Sequence, residues 1–369
     1  MNVPFLDFTR LAQATADATQ AAVQAVTASG RVILGPEVQA FEQAWAEACG
    51  VGHAVGVGSG TDALEIALRA FGVGPGDEVV TQANTCPPTA SAIARTGARV
   101  VLCDVDEASG RIDLQSLQGA LTERTKAVIP VHLYGQCADV AAVRAVLPDG
   151  VWVLEDCAQA HLATFEGRPA GAVGDAAAWS FYPSKNLGAL GDAGATTTDD
   201  PVLADRMREL RQYGAFGQSD ASGFGMNSRL DELQAAVLTR RLELLPAWTE
   251  RRRAIASAYR DALAGTRLEP LELDPRAEHA YHLFVVRSTE RDDVRRRLLE
   301  RGVQTLVHYA TPLHRLPAFA ASVATPVSLA RSELLCDQVL SLPLNPLLSD
   351  AEVAAVIEAS RSVAAGGQK

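Results

Sequence analysis

No stretch of the sequence approaches the ~20 consecutive apolar residues that a membrane-spanning helix needs. The opening Met1-Asn2-Val3-Pro4-Phe5-Leu6-Asp7 also lacks the charged-then-apolar order of a signal peptide. No run of Lys or Arg is long enough to form a nucleic-acid or anionic-membrane surface. The densest cluster, Arg251-Arg252-Arg253, follows Glu250 in a helical stretch and reads as a solvated helix face. None of the six cysteines forms a Cys-x-x-Cys pair, and none of the seven histidines forms His-x-x-x-His. A zinc centre and a disulfide framework are therefore not expected, and the scattered thiols point to a reduced, cytoplasmic protein without a metal.

What remains is an ordinary globular balance: 369 residues, 48% apolar, 21% charged, and a net charge of -11 with both signs interspersed. That length suffices for one large α/β core and a smaller second domain. Short apolar runs at 54–57, 78–81, 99–104, 125–131, 151–155 and 176–181 alternate with helical patterns at 61–70, 88–94 and 140–146. Strands too apolar to be half-exposed, joined by crossover helices, imply a mainly parallel sheet with helices on both faces. Ligands of such sheets lie beyond the carboxyl ends of the strands. A long helical region from Asp231 to about Leu263 is broken near Pro246. The division that follows is a large domain, 1–245, and a small C-terminal α/β domain, 246–369. After Pro246 come segments 281–286, 292–300 and 304–308, a closing helix from Ser349, and an Ala-Gly-Gly-Gln-Lys end expected to fray.

Three features fall at strand ends. Gly58-Ser59-Gly60-Thr61-Asp62 opens a helix directly after a strand, where free N–H groups can hold a phosphate. A plain capped turn explains it equally well, and Gly-x-Gly-x-x-Ala loosely matches a dinucleotide fingerprint. The next strand, however, runs into Thr81-Gln82-Ala83-Asn84 and brings no acid for a ribose. Val151-Trp152-Val153-Leu154-Glu155-Asp156 then delivers a carboxylate at the end of a buried strand, where an unpaired charge is expensive. Asp156 either caps the following turn or keeps a pyridine nitrogen protonated. Glu155, its neighbour, points to the other face. Finally, Ser180-Phe181-Tyr182-Pro183-Ser184-Lys185 places a lysine among apolar and glycine residues, where desolvation makes an amine nucleophilic. Alone, it reads as an exposed loop lysine. Together, the three describe one ligand, a phosphorylated pyridine aldehyde.

These residues resemble the DegT/DnrJ/EryC1/StrS family of sugar aminotransferases, which are fold-type I (aspartate aminotransferase-like) enzymes dependent on pyridoxal 5'-phosphate. The likeness spans nearly the whole chain. It is strongest in Glu155-Asp156-Cys157-Ala158-Gln159-Ala160-His161 and Ser180-Phe181-Tyr182-Pro183-Ser184-Lys185-Asn186-Leu187-Gly188. It persists in Asn227-Ser228-Arg229-Leu230-Asp231 and His308-Tyr309-x-x-Pro312-Leu313-His314.

The resemblance implies that Lys185 is the Schiff-base lysine and proton shuttle, Asp156 the pyridinium partner and Gln159 the partner of the ring hydroxyl. It makes Gly60, Thr61 and Ser180 phosphate ligands. It brings Asn227 to the phosphate from a second subunit, hence a homodimer with shared active sites. His161, Tyr182, His308 and Tyr309 are candidate substrate contacts, with packing the alternative for each. Two departures stand out: Cys86 replaces a stacking aromatic, and Leu162 replaces a small residue and is expected to narrow the sugar pocket.

The implied reaction carries an amino group from L-glutamate, by way of pyridoxamine phosphate, to a nucleotide-linked keto-deoxysugar in amino-sugar and antibiotic biosynthesis. A dTDP-3-keto-6-deoxyhexose is favoured over a 4-keto sugar or a cyclitol ketone. The remaining alternatives are an NAD-dependent oxidoreductase and a non-catalytic regulator that binds the same cofactor.

Overall fold

The structure is a computed structural model and describes residues 1–214, 224–320 and 322–365. The end expected to fray lies outside them beyond Ala365. An eight-stranded sheet forms the centre, in the order His53–Val57, Gly194–Thr198, Ala176–Ser180, Trp152–Asp156, Thr125–Ile129, Glu78–Gln82, Arg99–Cys103 and Val323–Ala324. Gly194–Thr198 runs antiparallel to both its neighbours and the remaining pairs are parallel. All six strands expected from the apolar runs are present, within a few residues of their expected bounds. The reversed strand is an addition: its Gly-Ala-Thr-Thr-Thr sequence has no apolar run to betray it, yet every residue is buried. Thr197 takes the indole N–H of Trp179 at 2.9 Å, one reason a threonine serves in that interior.

The interior parallel strands are buried on both faces and sheathed by helices. On one face, Ala63, Ile66, Ala67 and Leu68 of helix Gly60–Ala70 pack against Val55, Val57, Leu154, Ala176 and Ala178 of the sheet. On the other, Phe41 and Trp45 of helix Pro36–Cys49 meet Trp179 and Phe181 edge-on. The Asp231 region contains two helices, Glu232–Leu242 and Leu245–Leu263, with Pro246 in the first turn of the second. Proline is tolerated there because the first-turn N–H has no helical partner.

A second core gathers Ile255, Tyr259, Phe284, Leu298, Leu340, Leu342 and Val356, together with Val3 from the start of the chain. Its sheet pairs Glu269–Pro270, Phe284–Arg287 and Val339–Leu342. The 304–308 segment contributes only a single bridge, Leu306 to Ser341.

One reading of the basic cluster needs correction. Arg251 and Arg253 are partly exposed, but Arg252 is only 5% accessible and lies inside the protein. The helix turns its face inward at that position, and local charge density carries no signal of this.

The packing that positions the site is tightest where three chain segments meet. A Cβ on Gly60 would lie 2.6 Å from the Ser180 Cβ, and one on Gly194 would lie 2.4 Å from the Ser59 carbonyl. Gly194→Ala should therefore cost at least ~1–3 kcal/mol by overpacking. Gly74→Ala, where nothing stands within 4 Å, should stay within ~0.5 kcal/mol of the parent. Urea denaturation of the two variants checks the contrast.

Candidate active site

Five strands that run in the same direction, four of them adjacent, end on one side of the sheet, and the residues just after them line a single cleft of about 400 Å³. His53–Val57 leads to Ser59, Gly60 and Thr61; Glu78–Gln82 to Thr85, Cys86 and Thr89; Thr125–Ile129 to Val131 and Leu133. Trp152–Asp156 supplies Asp156 and Gln159, and Ala176–Ser180 supplies Ser180, Tyr182, Ser184 and Lys185. His282, His308 and Tyr309 close the cleft from the C-terminal part of the chain.

The phosphate-sized end is built from backbone. Ser59 caps the Gly60–Ala70 helix by accepting from the Asp62 N–H at 3.1 Å. The Gly60 and Thr61 N–H groups have no acceptor among the described residues, as first-turn donors do not. They are aimed with the helix dipole at whatever anion enters. Ser228 ties a distant loop to this turn, accepting from the Gly58 N–H at 3.0 Å and donating to Asp62 at 2.8 Å.

At the middle stand the acid and the amine. Asp156 is 5% accessible. One of its oxygens accepts from Thr89 Oγ1 at 2.9 Å and the other from the Ala158 N–H at 3.2 Å. Burial raises its pKa, and these donors together with the Lys185 charge do not offset it. Lys185 is half-buried, and desolvation lowers its pKa against the pull of Cys86 and Asp156. The two groups feel each other's charge but stand too far apart for an ion pair, so a gap lies between them.

Beside that gap, Gln159 Oε1 accepts the Tyr134 N–H at 2.6 Å and its Nε2 donates to Tyr309 Oη at 3.1 Å. Burial lowers the pKa of both histidines on the wall: His282 falls well below its usual value, and His308 falls to about 4. Both are neutral at pH 7.

Gly60, Thr61, Asp156, Gln159, Ser180, Tyr182, Lys185, His308 and Tyr309 thus converge as the sequence suggested. His161 does not. It is fully buried, packed between Trp45, Trp179 and Phe181, and its Nδ1 accepts the Leu187 N–H at 3.1 Å. Leu162 packs beside it against the same cluster and is not among the residues that line the cleft. The chain turns inward after Gln159, which takes both residues out of the cleft. Asn227 is exposed and lies outside the cleft of its own chain, one residue from Ser228.

Thr89, Asp192 and His282 are among the lining residues that the sequence reading did not single out. Thr89 sits three residues after Cys86 on helix Pro87–Arg95, and the apolar pattern of that helix gives no reason to single it out. Glu155, His132 and Cys157 bring three donor atoms within 4.8 Å of one another on the opposite side of the strand. His132 already accepts from the Ala138 N–H and faces Glu155 at 2.7 Å. Glu155 takes three further backbone N–H groups. The cluster is a closed hydrogen-bonded knot.

Comparison with known proteins adds an independent line. The model of the DegT/DnrJ/EryC1/StrS aminotransferase family matches residues 13–361. The chain belongs to that family. It is 45% identical to the dTDP-3-amino-3,4,6-trideoxy-alpha-D-glucose transaminase of Streptomyces venezuelae, over 97% of this chain and 95% of that one. Its backbone matches the crystal structure of S. venezuelae DesV in complex with a ketimine intermediate, with a TM-score of 0.95 at 44% identity, covering 99% of each chain. It also matches the PLP form of the putative sugar aminotransferase Spr1654 of Streptococcus pneumoniae, with a TM-score of 0.90 at 27% identity and 99% of each chain. The α/β fold with its mainly parallel, helix-flanked sheet is that of this family.

The cleft fits the family's cofactor on its own terms. The unaccepted N–H groups suit a phosphate, the under-satisfied Asp156 suits a protonated ring nitrogen, and the Lys185 amine faces the space between. A nicotinamide dinucleotide fits less well. Gln82 is committed to the Asn84 and Gly110 carbonyls, and Asp104 to Ser332 and the Arg331 N–H. Neither is left for a ribose.

Because the folded protein holds the Asp156 proton more tightly than the unfolded chain does, its ionised form costs stability. That cost is absent below the usual 3.8 and grows as pH rises through the raised value. Cofactor-free Asp156→Asn should therefore be more stable than the parent at pH 7, by roughly 0.5–2 kcal/mol, with the gain vanishing in acid. Added pyridoxal phosphate should reverse the order. Melting curves with and without cofactor measure both.

Proposed function

We propose that the chain is a pyridoxal-phosphate-dependent sugar aminotransferase, moving an amino group from L-glutamate to the ketone of a nucleotide-linked deoxysugar. The proposed acceptor is a dTDP-3-keto-6-deoxyhexose. The observation that carries this is the meeting of the Lys185 amine, the Asp156 carboxylate and the Gly60-Thr61 cradle around one cleft. The transaminase name of the S. venezuelae relative, with its amino group on carbon 3, supports the choice of ketone.

When bound, the cofactor supplies an electron-accepting ring that stores the amino group between donor and ketone. The protein does the rest. Gly60, Thr61 and Ser180 hold the phosphate, and Asp156 keeps the ring nitrogen protonated. Gln159 Nε2, fixed by Tyr134 and Tyr309, donates to the ring hydroxyl. With the cofactor bound, Lys185 would anchor it and, once freed, would hold and move a proton at the reacting carbon. Tyr182, His308 and Tyr309 on the cleft wall contact the sugar.

A homodimer belongs to the same reading. Val32, Ile33 and Leu190 are exposed apolar residues. Contacts from Val32 to Glu232, Ile33 to Asp231 and Leu190 to Gln234 gather them near the exposed Asn227. Apolar patches of that kind mark association surfaces, and in this reading the exposed Asn227 reaches a second chain's phosphate. Six free thiols, and no helix among the described residues long and apolar enough to cross a membrane, support a cytoplasmic setting.

Lys185→Ala should fold, lose the visible absorbance of lysine-bound cofactor, and drop turnover at least ~1,000-fold. Normal amination by that variant would end the proposal. Incubation of the parent enzyme with L-glutamate and dTDP-linked 3-keto and 4-keto sugars, read by mass spectrometry and NMR, should yield the 3-amino product. Sedimentation should find two chains per particle.

A further inference from the structure

Two arginines inside the protein have no acid to balance them among the described residues. Arg241 is 2% and Arg252 5% accessible, and among the described residues neither makes an ion pair. Arg241 donates to the Gly188 carbonyl at 2.6 Å and to Thr15 Oγ1 at 2.9 Å. Arg252 donates to the Tyr281 and Leu344 carbonyls, both at 3.1 Å. The Nε–H of each is buried with no acceptor. Neutral oxygens satisfy hydrogen bonds but not charge, and uncompensated guanidinium groups in an interior are costly.

Both line one small cavity, about 30 Å³, on the far side of the Lys185 loop from the cleft. Trp248, Asn345, Asp7 and Lys185 are among its other walls. Asp7 is the one carboxylate there, and it is committed elsewhere: it accepts from the Arg10 N–H at 2.9 Å and pairs with the Arg10 side chain at 3.7 Å. The volume admits one or two water-sized groups, which excludes a phosphate ester or a sugar and admits a single small anion. Guanidinium forks are matched in shape and charge to such a group.

We propose that this cavity binds one small monoanion, a carboxylate group or a halide, held between Arg241 and Arg252. The anion comes either from solution or from the carboxylate of an amino donor, since Ser184 and Lys185 form a wall common to the cavity and the cleft.

Crystals of the cofactor-loaded enzyme soaked in sodium bromide test it directly. An anomalous peak is expected within hydrogen-bond reach of both guanidinium groups. Loss of the peak when L-glutamate is added would identify the donor carboxylate as the source, and its persistence a solution ion.

A variant gives a second reading. Asn345 accepts the Leu347 N–H at 3.0 Å, a bond a carboxylate keeps, so Asn345→Asp places an anion in the cavity without removing a contact. In halide-free buffer it should melt about 2 °C or more above the parent. Bromide should raise the melting point of the parent only, against an equal concentration of sodium isethionate. No bromide peak, together with an Asn345→Asp variant that melts no higher than the parent, overturns the assignment. The soak needs no variant to fold.

Discussion

The structure turns on two adjacent acids at the end of one buried strand. Glu155 and Asp156 are equally sunk in the sheet, and strand geometry sends their side chains to opposite faces. Burial pushes both carboxyls toward the protonated form, yet the outcomes differ in sign. At Glu155 the His132 hydrogen bond and the backbone N–H groups of Gly174 and Gly171 outweigh desolvation, and its pKa is lowered. At Asp156 the Ala158 N–H, the Thr89 hydroxyl and the Lys185 charge fall short, and its pKa is raised. The number of donors decides it. Glu155 is a finished structural knot, and Asp156 is a carboxylate left one partner short, facing an open cleft. A ring nitrogen that carries a proton is the partner such a group lacks.

That asymmetry needs a strand end that cannot wander. Glu155 supplies the fixity, pinned to the 171–174 turn and to His132. The phosphate end is fixed by contact instead: Gly60 against Ser180, and Gly194 against Ser59, leave no room for a side chain. Cleft residues from five strands therefore hold their relative places through backbone packing. The long side chain of Lys185 is the adjustable part, while Gln159 is held at both ends by Tyr134 and Tyr309.

Much of this was legible in the sequence because it is written locally. A helix-opening glycine turn, a strand ending in an acid, and a strand followed by a lysine each announce themselves in a few residues. Their order on a parallel sheet forces them to one edge. What failed to announce itself depends on distant partners. His161 looks like a cleft residue two positions after Gln159, until Trp45 arrives from another helix to enclose it. Arg252 looks solvated until the Tyr281 and Leu344 carbonyls close over it. Gly194–Thr198 reads as a polar loop because threonine's β-branched fit to a sheet is hidden behind its hydroxyl. Thr89 and His282 come from segments whose approach to the cleft is set only by the tertiary fold.

The electrostatics of the cleft also bear on which of its groups suit proton transfer. Burial holds His282 and His308 neutral and weakly basic. Tyr309 is pushed far up by burial, and Cys86 is raised by desolvation. None of these four is brought closer to losing or accepting a proton near neutrality. Lys185 is moved the other way, toward the range where an amine both takes and gives up a proton. Among these wall residues Lys185 alone is shifted toward neutrality, which suits the proton-carrying role proposed for it. The neutral imidazoles and the fixed phenol leave it without a competitor. Replacing an aromatic by Cys86 is consistent with this division of labour, because a protonated thiol adds neither charge nor a rival base beside the amine.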